Sequence, residues 1–165
     1  MTIIIKNKET LLFDEFKFKC SVGKKGFSKN KIEGDYKTPV GIFDLGYIYY
    51  RSDRIQKPKS EIKICKIKKN MGWCDDPNSR HYNKLIKIKK NLKSSYEKLY
   101  RKDSKYDLFI LIKYNYKKVK KNKGSAIFLH LTNNYSATKG CVAIKKKDFL
   151  ILIKLINKKT KIKVT

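Results

Sequence analysis

This chain is short of the residues that build metal centres. Histidine occurs twice, at His81 and His130, and cysteine four times, at Cys20, Cys65, Cys74 and Cys141, with no CxxC spacing. A structural zinc site needs four such ligands brought together, so the counts argue against a metal. Long apolar runs are missing too: Phe149 to Ile153 is interrupted by Lys154, far short of a membrane span. Met1 to Thr10 lacks a basic region, a long apolar segment and a small-residue cleavage site, so no signal peptide is legible there. Prolines number three and glycines eight, with no Pro/Gly-rich linker and no internal repeat. One domain with one core is therefore expected over residues 1–165, and 41% hydrophobic residues suffice to build it.

Negative charge is equally scarce, with 14 acidic residues against 42 basic ones and a formal net charge of +28. Only Arg51, Arg54, Arg80 and Arg101 are arginines; the other basic residues are lysines spread among asparagine and isoleucine. That spread is what an AT-rich codon bias acting on a solvated surface produces. Its physical consequence is attraction to polyanions, whatever the origin.

What is present reads mainly as β structure. Phe16, Phe18, Cys20 and Val22 alternate with polar residues, the period of a half-buried strand, and Ile62, Ile64 and Ile67 read similarly with an irregularity after Cys65. Leu108–Ile112 and Ala126–Leu129 are continuous apolar runs suited to central strands, and Ile162 and Val164 offer a closing one. Helices are predicted over Leu92–Tyr100 and Lys147–Asn157, where apolar residues fall on one face. Loops are expected at Gly23–Gly34, Asn70–Asn83 and Tyr114–Gly124. Cys20 and Cys65 sit in apolar patterns and read as buried, inert thiols, while Cys74 lies in a polar turn and is expected to be partly exposed. A Cys65–Cys74 disulfide stays open at this level.

The most informative stretch is Ala126–Ile144. The apolar run ends on His130, a polar loop follows, and Gly140-Cys141 opens a second apolar segment at Val142. Two strand ends facing each other would bring a thiol near an imidazole. That is the minimum machinery for covalent acyl transfer, because histidine can take the thiol proton and return it to a leaving amine. Gly140 lets a substrate approach the backbone, so the Gly140 and Cys141 amides are candidate oxyanion donors. The group that fixes the His130 tautomer is a backbone carbonyl or the hydroxyl of Ser136 or Thr132. Thr138 is either a loop brace or a substrate contact.

The stretch resembles the core of the YkuD-type L,D-transpeptidases, in which a histidine precedes Ser/Thr-x-Gly-Cys-hydrophobic. Here these are His130 and Thr138-Lys139-Gly140-Cys141-Val142. Upstream, Glu33 to Phe43, with Thr38-Pro39-Val40-Gly41-Ile42-Phe43, is similar to the family's Gly-x-x-x-Thr-Pro-x-Gly-x-Phe segment. Gly72-Trp73-Cys74-Asp75-Asp76-Pro77 with Tyr82-Asn83 resembles a compact proteobacterial branch. The chain departs from the family at Lys139, where histidine is usual, and at Ala143, where Arg or Asn is usual; His130 and Cys141 are also closer in sequence than is common.

The resemblance implies a mainly β sandwich or barrel with one or two short helices. It implies a peptidoglycan L,D-transpeptidase with Cys141 as nucleophile, His130 as base and no cofactor. Donor tetrapeptide stems would lose D-Ala and be joined to an amine of a neighbouring stem, in a 3-3 or a 1-3 link. Substrate contacts are expected from Trp73, Asp75, Asp76, Tyr82, Asn83, Arg51 and Thr138, with aromatic walls covering the ligand and an arginine fork holding a carboxylate. Trp73 to Asn83 also contains ordinary turn dipeptides, and Arg51 lies in what reads equally as a solvated loop. A monomer is expected; the family implies the periplasm or cell envelope, whereas the N-terminus, with no legible signal peptide, leaves the cytoplasm as the alternative. A basic nucleic-acid binder using lysines and tyrosines is the reading from another class, but it gives no role to His130 and Cys141.

Overall fold

A computed structural model describes residues Met1–Thr165. In chain order the strands are β1 (Thr2–Ile5), β2 (Thr10–Phe13), β3 (Phe16–Ser21), β4 (Phe27–Ser28), β5 (Thr38–Pro39), β6 (Gly41–Tyr50) and β7 (Ile64–Lys66). They continue with β8 (Met71–Cys74), β9 (Leu85–Lys87), β10 (Tyr96–Lys98), β11 (Leu108–Ile112), β12 (Phe128–Leu131) and β13 (Val142–Ile144); helix α1 (Lys146–Leu155) and β14 (Lys161–Val164) complete the chain.

The largest sheet closes on itself. Its order is β11-β12-β13-β3-β2-β1-β14-β6, and β6 pairs back onto β11, with β7 added in parallel alongside β6. Closure is possible because β6 changes partner along its length. Gly41–Asp44 pair with β14 and Leu45–Tyr50 with β11, and the register slips between Ile110 and Ile112. Gly46 sits at this bend, where an added Cβ would come within 2.8 Å of Leu111 Cδ2. A bulge and a glycine let a strand turn the corner of a barrel without a steric clash.

The continuous apolar run of β11 follows from burial on both faces. Leu108, Ile110 and Ile112 enter the main core, while Phe109 and Leu111 enter a second cluster on the other side. Helix α1 covers the main core with Phe149, Leu152 and Ile153, all fully buried and spaced to share one face. Asp148 in its first turn and Lys154 in its last suit the helix dipole, and the helix stops where Ile156 turns extended.

The second cluster lies beneath a small sheet, β10-β8-β9, and contains Trp73, Leu99, Tyr106, Phe109, Phe128 and Cys141. This sheet corrects three expectations. The segment Asn70–Asn83, expected as a loop, opens with strand β8 at Met71–Cys74. Leu92–Tyr100 is not helical: Tyr96, Glu97 and Lys98 pair with Cys74, Trp73 and Gly72 instead. An edge of β8 was available for backbone pairing, and tertiary context overrode a local helical period. Cys74 is fully buried rather than partly exposed, because β8 is the middle strand of that sheet. All four cysteines are free thiols, so no Cys65–Cys74 disulfide forms. The mainly β barrel-like architecture matches the expected fold, with one helix at Lys146–Leu155.

Candidate active site

Strands β12 and β13 run parallel, with Leu129 opposite Val142, His130 opposite Ala143 and Leu131 opposite Ile144. Side chains alternate across a strand, so each strand has two faces. Leu129, Leu131, Val142 and Ile144 point into the main core. Phe128 and Cys141 belong to the second cluster, and His130 shares the Phe128 face. The two-residue period of two aligned strands therefore presents imidazole and thiol on one side. Thr132–Cys141 makes the return connection without a helix, and this loop forms one wall of a cavity of about 610 Å³ that His130 and Cys141 both line.

The turn before the nucleophile candidate is tightly built. Gly140 has φ +140°, and an added Cβ would meet Lys37 O at 2.8 Å, so only glycine fits. Thr138 Oγ1 donates to Cys141 O at 2.6 Å and accepts the Gly140 amide at 3.0 Å. Thr138 is thus a loop brace, although it also lines the cavity. The Gly140 amide is consequently engaged. Of the two amides expected as oxyanion donors, only that of Cys141 makes no hydrogen bond within the chain.

Cys141 is 8% exposed and His130 6%. Cys141 Sγ donates to Ala126 O at 3.2 Å and accepts the Phe128 amide at 3.3 Å, and no hydrogen bond joins it to the His130 ring. Ala126 is held at φ +51°, a conformation unusual for a residue with a side chain, and it is this backbone that turns its carbonyl toward the thiol. His130 Nδ1 lies 2.9 Å from the Leu131 carbonyl, so Nδ1 carries the proton and the Nε2 lone pair is free. Of the three candidate orienting groups, the backbone carbonyl does the work; Thr132 Oγ1 instead accepts the Tyr135 amide.

Both groups are neutral at rest. Burial pushes the Cys141 thiol up to about 12, against a smaller opposing effect of the Phe128 amide. Burial also lowers His130 to about 4, with Lys105 and Arg101 adding to the effect and the Leu131 carbonyl opposing it.

The cavity is walled by charged residues that the motif reading assigned no role. Tyr106 stands edge-on to His130 at 5.4 Å, donates its hydroxyl to Glu97 at 3.1 Å and lies under the Arg101 guanidinium at 5.2 Å. Arg101 is in turn paired with Glu97 and Asp103. Opposite, Glu33 accepts the hydroxyls of Tyr82 and Ser125. Lys31, 4% exposed, reaches Asp35 at 2.6 Å. Glu33 stands inside the upstream motif, which was its one visible signal; Lys31 is one lysine among dozens.

Of the residues expected to contact substrate, Asp75 and Thr138 line the cavity, Asp75 accepting the Ser95 hydroxyl at 2.6 Å. Five others lie outside its lining. Trp73 is buried, and its Nε1 donates to Asn83 Oδ1 at 2.9 Å; the same oxygen accepts the Ala126 amide at 3.1 Å. Tyr82 is buried behind Glu33, with the Gly124 amide donating to its hydroxyl. Asp76 accepts the Asn78 amide in a surface turn. Arg51 is buried, bound to Asp53 and to the Arg101 carbonyl, and stacked 3.5 Å above the Tyr100 ring. Asn83, Tyr82 and Arg51 thereby position Ala126, Glu33 and Arg101, and the arginine that reaches the cavity is Arg101. No group of histidine, cysteine or carboxylate side chains is arranged to hold a metal ion. No helix is long and apolar enough to cross a membrane.

Among solved structures, the chain is similar to the helical cell shape determining protein Pgp2 from Campylobacter jejuni, with a TM-score of 0.50 at 17% identity. The match covers 99% of this chain and 46% of that one, so the chain spans less than half of its neighbour's length, and identity this low speaks to the fold alone. No curated protein matches in sequence. The family model for the YkuD L,D-transpeptidase catalytic domain matches residues 1–164, nearly the whole chain, with His130 and Cys141 inside it. The chain belongs to the YkuD family of L,D-transpeptidase catalytic domains.

Proposed function

We propose that this chain is a cysteine acyltransferase that remodels peptidoglycan by cutting a donor tetrapeptide stem and joining it to an amine of a neighbouring stem. The observation that carries the reading is the placement of Cys141 and His130 on one face of the β12–β13 pair, lining one cavity. Family membership supports the same chemistry.

The steps follow from the protonation states. In the resting site the thiol is protonated and held by Ala126 O. As a donor stem enters, Sγ leaves that carbonyl and passes its proton to His130 Nε2, whose tautomer is fixed by Leu131 O. The S–C bond forms as the carbonyl π pair moves to oxygen, and the Cys141 amide is placed to receive that oxygen. The C–N bond then breaks, the imidazolium returns its proton to the departing D-Ala amine, and a thioester remains. An acceptor amine repeats the sequence in reverse, His130 taking the proton that nitrogen loses. Amines at the third or the first stem position fit this chemistry, giving 3-3 or 1-3 links, and water in their place gives carboxypeptidase activity. No cofactor is required for any step. A peptidoglycan substrate is in keeping with work in the cell envelope, where a role in cell shape, the role named for Pgp2, would follow from altered cross-linking.

The test is intact-mass analysis of wild type and Cys141→Ala after incubation with muropeptide tetrapeptides and, separately, a carbapenem. An adduct or cross-linked dimer that requires Cys141 is expected. No adduct and no product with either reagent would overturn the proposal.

A further inference from the structure

Two places after Cys141, where Arg or Asn is usual in the family, stands Ala143, which brings no cation to the site. A different part of the fold delivers one. Lys31, in the loop between β4 and β5, is 4% exposed and lines the same cavity as Cys141. Its ammonium lies beside the nucleophile turn: a Cβ built on Gly140 would sit 3.4 Å from Lys31 Nζ.

The path of its side chain is carved out by a second glycine. A Cβ on Gly124, which has φ +97°, would come within 2.8 Å of Lys31 Cε and 3.0 Å of Cδ. Two glycines with left-handed backbone thus leave the groove in which the lysine stem lies. Burying an ammonium costs free energy unless it is paired, so its placement demands an account. Asp35 supplies one partner at 2.6 Å. That carboxylate is shared, because it also accepts the amides of Ile32 at 3.0 Å and Lys37 at 2.9 Å. An ammonium has three donors, and Asp35 takes the one hydrogen bond that Lys31 makes within the chain. The other two make no hydrogen bond within the chain, and Lys31 lines the cavity beside the turn where the Gly140 amide is already bound to Thr138.

We propose that Lys31 is a catalytic residue of this site: its ammonium, together with the Cys141 amide, holds the oxyanion formed when Cys141 attacks a stem carbonyl. This deepens the acyltransferase reading and rests on it. The charge is needed in both half-reactions, as each passes through a tetrahedral carbon bearing one negative oxygen. A fixed cation beside the reacting carbon stabilises that oxygen more than it stabilises a neutral carbonyl. The cradle of Gly124 and Gly140 holds it there before substrate arrives, which is the preorganisation such a group requires.

The experiment follows single-turnover release of D-Ala from a tetrapeptide by wild type, Lys31→Gln and Lys31→Arg. Melting curves identify folded variants, and Lys31→Met replaces the glutamine variant if that one is unfolded. We expect the saturating rate to fall by about 10²- to 10³-fold in Lys31→Gln with little change in the half-saturating concentration, as when an oxyanion donor is removed. Lys31→Arg should recover part of the rate. A folded chargeless variant with a wild-type saturating rate would overturn the role of Lys31 while leaving the acyltransferase reading intact. A loss confined to the half-saturating concentration would also overturn it, making Lys31 a carboxylate anchor. A wild type that releases no D-Ala and takes no acyl group would overturn both.

Discussion

Asn83 Oδ1 accepts the Ala126 amide at 3.1 Å, and Ala126 offers its carbonyl to the Cys141 thiol at 3.2 Å. A residue outside the cavity lining therefore sets the resting position of the Cys141 thiol. The same Asn83 oxygen receives Trp73 Nε1, and its Nδ2 donates to the carbonyls of Tyr114 and Asn115.

Removing that junction should both destabilise the fold and loosen the site. Asn83→Leu leaves the buried Trp73 N–H and two carbonyls unpaired and asks a branched residue to hold φ +56°. We expect a loss of about 3 kcal/mol in urea unfolding, since each buried group left without a partner costs roughly 1–3 kcal/mol. A change within about 0.5 kcal/mol, the range of an ordinary surface substitution, would show that the junction is dispensable.

The resting thiol should be sluggish. With burial pushing Cys141 up to about 12, little thiolate exists at neutral pH. Alkylation by iodoacetamide at pH 7, followed site by site by peptide mass, should be at least about a hundredfold slower at Cys141 than at an unperturbed thiol. Cys65, expected as a buried and inert thiol, is only half-buried and should be modified earlier. Rapid labelling of Cys141 at pH 7 would mean that a thiolate–imidazolium pair already exists without substrate.

His130 should leave a signature in stability against pH. Its folded value of about 4 lies below the ordinary 6.5, so between these values the unfolded chain binds the proton more strongly. Stability attributable to His130 is full above pH 6.5, falls as the pH drops through that window and levels off below about 4. The difference between wild type and His130→Gln in denaturant unfolding should change by about 3 kcal/mol across the window, with wild type losing more on acidification. Parallel profiles for the two proteins would mean that the imidazole titrates freely.

Helix α1 should behave as a plug for the barrel core. Phe149 is fully buried there, next to Leu152 and Ile153. Phe149→Ala is expected to cost about 3–5 kcal/mol, combining lost transfer energy with a residual cavity. Circular dichroism melts would reveal it, and an unchanged midpoint would place the helix outside the cooperative core.

Residues on a regular period were legible without a structure. The alternation from Phe16 to Val22, the unbroken Leu108–Ile112 run and the Phe149–Ile156 spacing correspond to β3, β11 and α1 within a residue or two. Such patterns record burial directly, because each side chain's environment repeats with the backbone. Leu92–Tyr100 shows the limit: its spacing satisfies a helix, yet the free edge of β8 claims it as a strand. Pairing partners far away in sequence leave no local trace.

The site divides along the same line. His130, Gly140, Cys141 and Thr138 are near one another in the chain, and their order and spacing carried them. Which aromatic and charged groups reach the cavity was decided by closure of the barrel and docking of the small sheet. That packing buried Trp73, Tyr82, Asn83 and Arg51 as supports and brought Lys31, Glu33, Arg101 and Tyr106 to the walls. A lysine's character in sequence is the same whether it lies in water or in a glycine-lined groove. Only the fold, by removing solvent from one lysine and leaving it on the others, gives Lys31 a distinct electrostatic meaning.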